Sequence, residues 1–262
     1  MAAEPKLSKR LTAIAGMVNA AGSGSESRVP GYCLCDVGTD HAHIPIRLIR
    51  DGMIARSIAM DVIAGPLEKA RQNIELYGVS DKVELRLSDG LDAYLPGEAQ
   101  GLVIAGMGGR IMSKILLREP QKTLDFGELI LQPQADPEFV RRAVRELGLY
   151  IDKEQIVLED NKYYPVMHVS SSRCPGPVWK TGAEDDGLFQ EAEDLFGPVL
   201  IRDRDSMLKS YLLWQKGVND RIMYSLQKAN NADTDAVKEK TAEVIKKERL
   251  IRTALEYFEI AG

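Results

Sequence analysis

Cysteine, histidine and tryptophan are scarce: the 262 residues carry only three, three and two of them. Cys33 and Cys35 are spaced C-x-C inside an apolar run and Cys174 stands apart, so neither a CxxC redox pair nor a zinc knuckle is present. Side chains two apart on a strand share a face, and these thiols read as buried residues of a reducing compartment. No apolar run is long enough to span a bilayer, and the opening MAAEPKLSKRL has no apolar signal-peptide core. A cytoplasmic protein without a membrane partner is expected. Excess positive charge is missing too, the formal net charge being −5. That excludes a basic coat, not a local basic patch, because acids are concentrated in TGAEDDGLFQEAEDLFGP, Thr181 to Pro198. With 44% hydrophobic and 28% charged residues, the chain has a globular composition and can bury a sizeable core.

From about Cys33 to Ser170, short apolar runs alternate with longer helical ones. CLCDVG predicts a first strand and IPIRLIRDG a helix with Ile44, Ile46, Leu48 and Ile49 inward. ARSIAMDV is a second strand; GPLEKARQNIELYG is a helix with proline in its first turn and glycine at its end. KVELRLSDG, the continuously apolar GLVIAGMGG and ELILQPQ follow as strands, then the helix PEFVRRAVRELG. VLED and YYPVMHVS close the region as an antiparallel pair. This alternation predicts an α/β, Rossmann-like doubly wound sheet over residues 1–172. Over 173–262, a linker leads to a strand-free tail. There Tyr211, Trp214, Val218, Ile222 and Leu226 recur at helical spacing. NNADTD then turns the chain, and Val237, Val244, Ile251 and Phe258 sit seven apart with Glu248 among them. The spacing predicts two antiparallel helices paired as a coiled-coil hairpin, the second capped by Asp233 or Thr234.

Ligands of such sheets bind beyond the carboxyl ends of the strands. The first strand ends in Asp36-Val37-Gly38-Thr39-Asp40-His41, where Gly38 permits a tight turn and Thr39 and Asp40 suit a helix start. Asp61 ends the second strand, placed to accept from both hydroxyls of a ribose. Ser88-Asp89-Gly90 ends the third, and Ala105-Gly106-Met107-Gly108-Gly109 the fourth, a loop of nearly bare backbone.

The first turn lacks the G-x-G-x-x-G spacing that lets a pyrophosphate approach a helix N-terminus. Asp40 and His41 fill that space instead, and an acid there disfavours a dinucleotide and suits a phosphate-free, cationic ligand such as S-adenosylmethionine. A metal is not expected. His41 and His43 lie near acids, but the third histidine, His168, belongs to a late strand. His43 reads as a packing or helix-start residue, and His41 has the better claim to the site.

LSKRL, DVGTDHAHIP, AMDV, SDGL, GMGG and FGPVL, in that order over nearly the whole chain, resemble the TrmK family. These are bacterial tRNA methyltransferases that modify N1 of the adenine at tRNA position 22. The resemblance implies a class I methyltransferase with S-adenosyl-L-methionine as cofactor, tRNA as partner, and no obligate protein partner. Asp36, Gly38 and His41 are expected around the methionine portion of the cofactor and Asp61 at its ribose. Asp89 and Gly90 are expected at its adenine, with Gly106 closing over the methyl group. Asp40, Met107 and Gly108 are assigned to the reacting centre, Asp40 serving either the cofactor or the developing positive charge. Lys6, Lys9, Arg10 and Arg110 are candidates for phosphate contacts, as are Lys246 and Lys247 among the cations of the tail. Methylation of another RNA position or of a small molecule is the alternative.

Overall fold

In the computed structural model, residues 7–19, 31–170, 187–228 and 234–259 are described. Lys6, Cys174, the first six residues of the acidic stretch and most of the NNADTD turn lie outside them, as does the expected domain boundary. The described elements fall into two units, one ending with the strand at Ser170 and one starting with the helix at Leu188.

The first unit opens on α1 (Lys9–Met17), which hydrophobic periodicity does not announce. Ser8 caps it, its Oγ accepting from the Leu11 amide at 3.3 Å. Strand β1 (Cys33–Val37) is buried along its whole length, as expected of a strand covered on both faces. Helix α2 (His43–Arg50), β2 (Arg56–Asp61), α3 (Ala64–Leu76) and β3 (Val83–Leu87) follow. Glycine ends α2, where Gly52 takes a φ of +65° and the next amide, Met53, returns to the Leu48 carbonyl at 2.8 Å. No helix separates β3 from β4 (Gly101–Met107). Then come α4 (Gly109–Arg118), the short α5 (Pro120–Thr123), β5 (Glu128–Pro133), α6 (Pro137–Glu146), β6 (Tyr150–Glu159) and β7 (Lys162–Ser170).

These strands form one seven-stranded sheet in the order β3-β2-β1-β4-β5-β7-β6. All pairs through β4–β5 are parallel, and β7 joins β5 and β6 antiparallel. The order reverses at β1, whose neighbours are β2 and β4, so a crevice opens above the carboxyl ends of β1 and β4. On one face Ile14 of α1, Ile46 and Leu48 of α2, and Ile74 of α3 pack on Leu34, Ala59, Val103 and Ile130. Each such buried aliphatic contributes roughly 1.5–3 kcal/mol. On the other face α4 and α6 pack together, and buried Arg141 of α6 pairs with Glu154 of β6 at 2.9 Å. Cys33 and Cys35 are buried thiols.

The second unit contains α7 (Leu188–Phe196), α8 (Pro198–Arg202), α9 (Ser206–Gln227) and α10 (Asp235–Glu259). Lys216 meets Glu248 at 3.5 Å and Arg204 the Tyr257 carbonyl at 2.7 Å, so α9 and α10 run antiparallel as expected. The expected seam positions Val244 and Ile251 of α10 are buried, but on α9 the expectation is corrected. Trp214 is 49% exposed, and α9 buries Leu208, Leu212, Gln215 and Asn219 instead. The physical reason is that α10 packs against α7 and α8 as well as α9. Val244, Leu250, Ile251 and Ala254 therefore bury against a layer of helices rather than a single partner.

At the amino end of the sheet, Glu128 accepts from the Tyr32 hydroxyl and the Asn19 amide and meets His168 Nε2 at 2.7 Å. Asp152 meets the other ring nitrogen at 2.5 Å. Burial alone disfavours the imidazolium, but hydrogen bonds to both carboxylates outweigh it and raise the His168 pKa above its ordinary 6.5. This contribution is present in full below pH 6.5 and lost as pH rises through the raised folded value. Denaturant midpoints measured from pH 6 to 9 are expected to fall in the parent protein. In His168→Gln that slope should flatten, with a loss of roughly 1–3 kcal/mol at pH 6.

Candidate functional site

The turn after β1 builds the site's floor. Gly38, Asp40 and Ala42 all take positive φ, at 76°, 47° and 55°. For the two with side chains this costs roughly 1–2 kcal/mol each. The turn is held because the amides of Gly38 and Thr39 both donate to the Met60 carbonyl of β2, at 2.8 and 3.0 Å. Both donors are therefore satisfied inside the protein, and neither can cradle a pyrophosphate. The dinucleotide reading fails on geometry as well as on spacing. Glycine at 38 is favoured by its φ of +76°; a side chain there would also press on the mobile end of Met107 at 3.0 Å.

Thr39 and Asp40 do not start the helix, a second correction. Thr39 Oγ1 donates to Asp36 Oδ2 at 2.6 Å, and the Asp40 side chain is 63% exposed. Helix α2 begins three residues later, behind Ala42 in the left-handed region. Asp36 is buried in this turn. Loss of hydration pushes its pKa up to about 6, against the Thr39 hydrogen bond that lowers it, with nearby Asp61 adding to the rise. His41 stacks on His43, ring centroids 5.3 Å apart and 11° from parallel.

A cleft of about 210 Å³ stands over this turn. Asp36, Gly38, Asp40 and His41 line it, together with Gly106 from the end of β4. The structure thus gathers five of the expected residues at the switch point. His43, expected to be packing, also lines the cleft, and its Nδ1 is buried with no partner among the described residues. Burial lowers its pKa below the ordinary 6.5, favouring the neutral ring. Asp61 stands at the end of β2, its Oδ1 accepting from the Ile63 amide at 2.9 Å. Beside it Val62 and Ile63 are 59% and 60% exposed, apolar surface suited to a flat ring.

Asp89 and Gly90 do not join this cleft. Arg118 of α4 holds Asp89 at 2.8 Å and also binds Asp92. Asp89 faces a separate depression along α4, while Gly90 is needed where Ile115 approaches. Arg118 captures the carboxylate because it offers several donors in one plane.

At the fourth strand end, Gly106 takes a φ of +81° at a bulge, where Ala105 pairs with Gln132 and Met107 with Pro133. Met107 abuts Gly38, and Gly108 is the N-cap of α4. Gly109, however, is bare for packing: a side chain there would collide with the Asp136 carbonyl. Arg10 is also corrected. It is not an outward phosphate contact but a wall of the cleft, donating from Nη1 to Gln132 Oε1 at 2.8 Å and lying over the Tyr164 ring. Nothing in the amphipathic pattern reveals this wall. Gln134, which completes it, stands at the fifth strand end, where neither an acid nor a glycine adjoins it in the sequence. Lys9 is exposed; Arg110 pairs with Asp136 at 2.9 Å and covers the Phe139 ring. In the second unit Lys246 pairs with Glu191 at 2.6 Å, and Lys247 is half-buried in α10.

The donor set fits S-adenosylmethionine: a buried acid, an exposed acid, a ribose-height acid and spent amides favour a cationic ligand without phosphates. Among the described residues no group of three His, Cys, Asp or Glu could hold a metal ion, and no helix is long and apolar enough to cross a membrane.

Comparison with known proteins gives a concordant picture. A family model described as a methyltransferase domain matches residues 7–167. The curated tRNA (adenine(22)-N(1))-methyltransferase of Bacillus subtilis is 27% identical over 257 residues, covering 97% of this chain and 99% of its own. The solved structure of the B. subtilis M1A22 tRNA methyltransferase TrmK superposes with a TM-score of 0.76 at 25% identity, covering 95% of this chain and 99% of its own. A Streptococcus pneumoniae protein solved in complex with S-adenosyl-L-methionine gives 0.73 at 27%, covering 95% and 100%.

Above pH 6 the buried Asp36 carboxylate burdens the free protein, and the burden lifts as pH falls from about 6 towards 3.8. The shift corresponds to roughly 3 kcal/mol. Asp36→Asn is therefore expected to raise the stability of the free protein at pH 7 by about 1–3 kcal/mol. It should also weaken S-adenosylmethionine binding. Calorimetric titration from pH 5 to 8 checks this: parent affinity should fall below pH 6, and the variant's should not.

Proposed function

The chain belongs to the methyltransferase-domain family, and from that premise we propose that it transfers a methyl group from S-adenosylmethionine to N1 of adenine 22 in tRNA. The observation that carries this reading is the end-to-end match, at 27% identity over 97% of the chain, to a curated enzyme of that activity. The motif likeness to the TrmK family points the same way. The site adds a chemical reason. Adenine N1 has an available lone pair, so no base has to remove a proton from it. Catalysis of this kind rests on alignment and on tolerance of positive charge.

When bound, S-adenosylmethionine supplies an electrophilic methyl group on a sulfonium. Asp36 and the His41–His43 stack hold the amino-acid portion and Asp61 the ribose, with Val62 and Ile63 against the adenine ring. Asp89 is left outside this set because Arg118 holds it. Gly106 gives the incoming base access, with Met107 and Gly108 fixing the loop. Asp40, exposed at the mouth, bears either on the cofactor or on the cation that forms on the base.

The base must leave its stack to enter, which costs a few kcal/mol. Lys9 and Arg110 in the first unit, and Lys246 and Lys247 in the second, are proposed phosphate contacts that supply it. The first unit is the catalytic domain and the second an RNA-binding arm, the boundary falling near residue 172. With tRNA as substrate, a cytoplasmic setting follows.

Tritiated-methyl transfer to unmodified bacterial tRNA tests the reading, with adenine or guanine at position 22. Incorporation is expected into the adenine form and lost on substitution. Equal incorporation into both would overturn the position; none into either, with cofactor still bound, would overturn the substrate. Lys246→Glu with Lys247→Glu is expected to weaken tRNA binding several-fold and reduce its salt dependence, as filter binding at two salt concentrations would show.

A further inference from the structure

Gly106 is the one point of the β4 end that two polar side chains approach from separate elements. A side chain there would point between Gln134 Nε2, at 3.8 Å, and Arg10 Nη1, at 3.9 Å. The two groups differ in freedom. Arg10 Nη1 is committed to Gln132 Oε1, its Nε is buried 3.8 Å from Glu159, and its plane covers Tyr164. The Gln132 amide cannot turn away, because its Nε2 donates to the Pro133 carbonyl at 2.7 Å. Gln134 is held only by its backbone, whose amide donates to the Met107 carbonyl at 2.9 Å. Its side chain is exposed, lines the cleft and has no hydrogen-bond partner among the described residues.

We infer that Gln134 is the residue that reads the acceptor adenine, through N6 and N7. This rests on the proposed reaction and adds a specificity determinant to it. A carboxamide pairs with adenine by accepting from the N6 amino group and donating to N7. That edge leaves N1 open to the methyl group, whereas a reader using N1 would block the reaction. Guanine presents two acceptors on the same edge, O6 and N7, so the carboxamide oxygen would face O6 without a proton between them. An arginine would reverse the preference, since a guanidinium pairs with O6 and N7 together. Arg10 stands close enough to do so, and its engagement by Gln132, Tyr164 and Glu159 keeps it from that role. The wall therefore offers an adenine reader and restrains a guanine reader beside it.

The test compares the parent enzyme with Gln134→Ala on full-length tRNA carrying adenine or 7-deazaadenine at position 22. The analogue keeps N1 and N6 and lacks the N7 acceptor. Its altered ring reactivity is common to both enzymes and cancels in the ratio of their losses. In the parent, kcat/KM should fall about tenfold more on the analogue than in Gln134→Ala. The variant's own loss on adenine should be at least as large, with S-adenosylmethionine affinity unchanged. Because Gln134 is exposed, folding should be preserved, and an unchanged thermal midpoint checks it. Equal losses in the two enzymes, within about twofold, would overturn the assignment. Failure of the underlying reaction has a different signature: the parent would bind the cofactor and methylate neither tRNA, overturning both readings at once.

Discussion

One carbonyl, that of Met60, organises the cleft. By accepting from the amides of Gly38 and Thr39 it ties the end of β2 to the turn after β1, and Met107 packed against Gly38 ties in β4. Three strand ends are thereby fixed at the switch point. The same hydrogen bonds decide the ligand's chemistry. A turn whose amides point at a ligand attracts anions, and here they point at the neighbouring strand. What remains facing the cleft is acidic, through Asp36 and Asp40, with two imidazoles beside them. Strain at Asp40 and Ala42 accompanies this arrangement and is concentrated where binding occurs.

Charge inside the cleft is arranged to accept one more cation. Arg10 is the exception, a guanidinium lining a site where a positively charged base is to form. Its neighbours answer it: Glu159 stands at 3.8 Å, Gln132 takes one of its donors and the Tyr164 face covers it. Asp36, with a pKa near 6, remains largely ionised at neutral pH despite being buried. Its desolvation is a cost carried by the free protein and relieved when a cationic ligand arrives. Binding affinity and fold stability therefore pull in opposite directions at this residue, as is common where a site must be prepared before its ligand is present.

The sheet was legible because its strands are apolar runs bounded by glycine and its helices carry terminal signals, as at Gly52 and Pro66. The antiparallel pair β6 and β7 was legible for a simpler reason, a connection too short to hold a crossover. Helix α1 was not, since its buried face rests on Ile14 and its role comes from Arg10, whose partners Gln132 and Tyr164 lie more than a hundred residues away. The hairpin's antiparallel sense was readable from the turn. Its seam was not, because α10 has more than one partner and the heptad rule assumes one. At the site, the acids at the ends of β1 and β2 stand beside the switch point, with Asp36 lining the cleft. Asp89 follows β3 but is held by Arg118 at a separate depression, and that capture depends on where α4 lies, which strand order alone does not give.

The corner formed by Gly109, Arg110 and Asp136 shows how little of a bare loop need be for the ligand. Asp136 caps α6 from the left-handed region, and its carbonyl approaches Gly109 closely enough to exclude any side chain. Its carboxylate holds Arg110, whose guanidinium lies 4.0 Å over Phe139 of the same helix. Glycine at 109 thus lets α4 and the start of α6 meet, and that meeting orients an exposed cation beside the cleft. Gly106, three residues earlier, would meet only ordinary van der Waals contacts, with Gln134 Nε2 at 3.8 Å and Arg10 Nη1 at 3.9 Å. In one GMGG run the first glycine holds a left-handed turn at the edge of the cleft and the last removes room between two segments of backbone. A side chain at the first would strain the left-handed backbone at the mouth of the cleft; at the last it would separate α4 from α6 and move Arg110 with them.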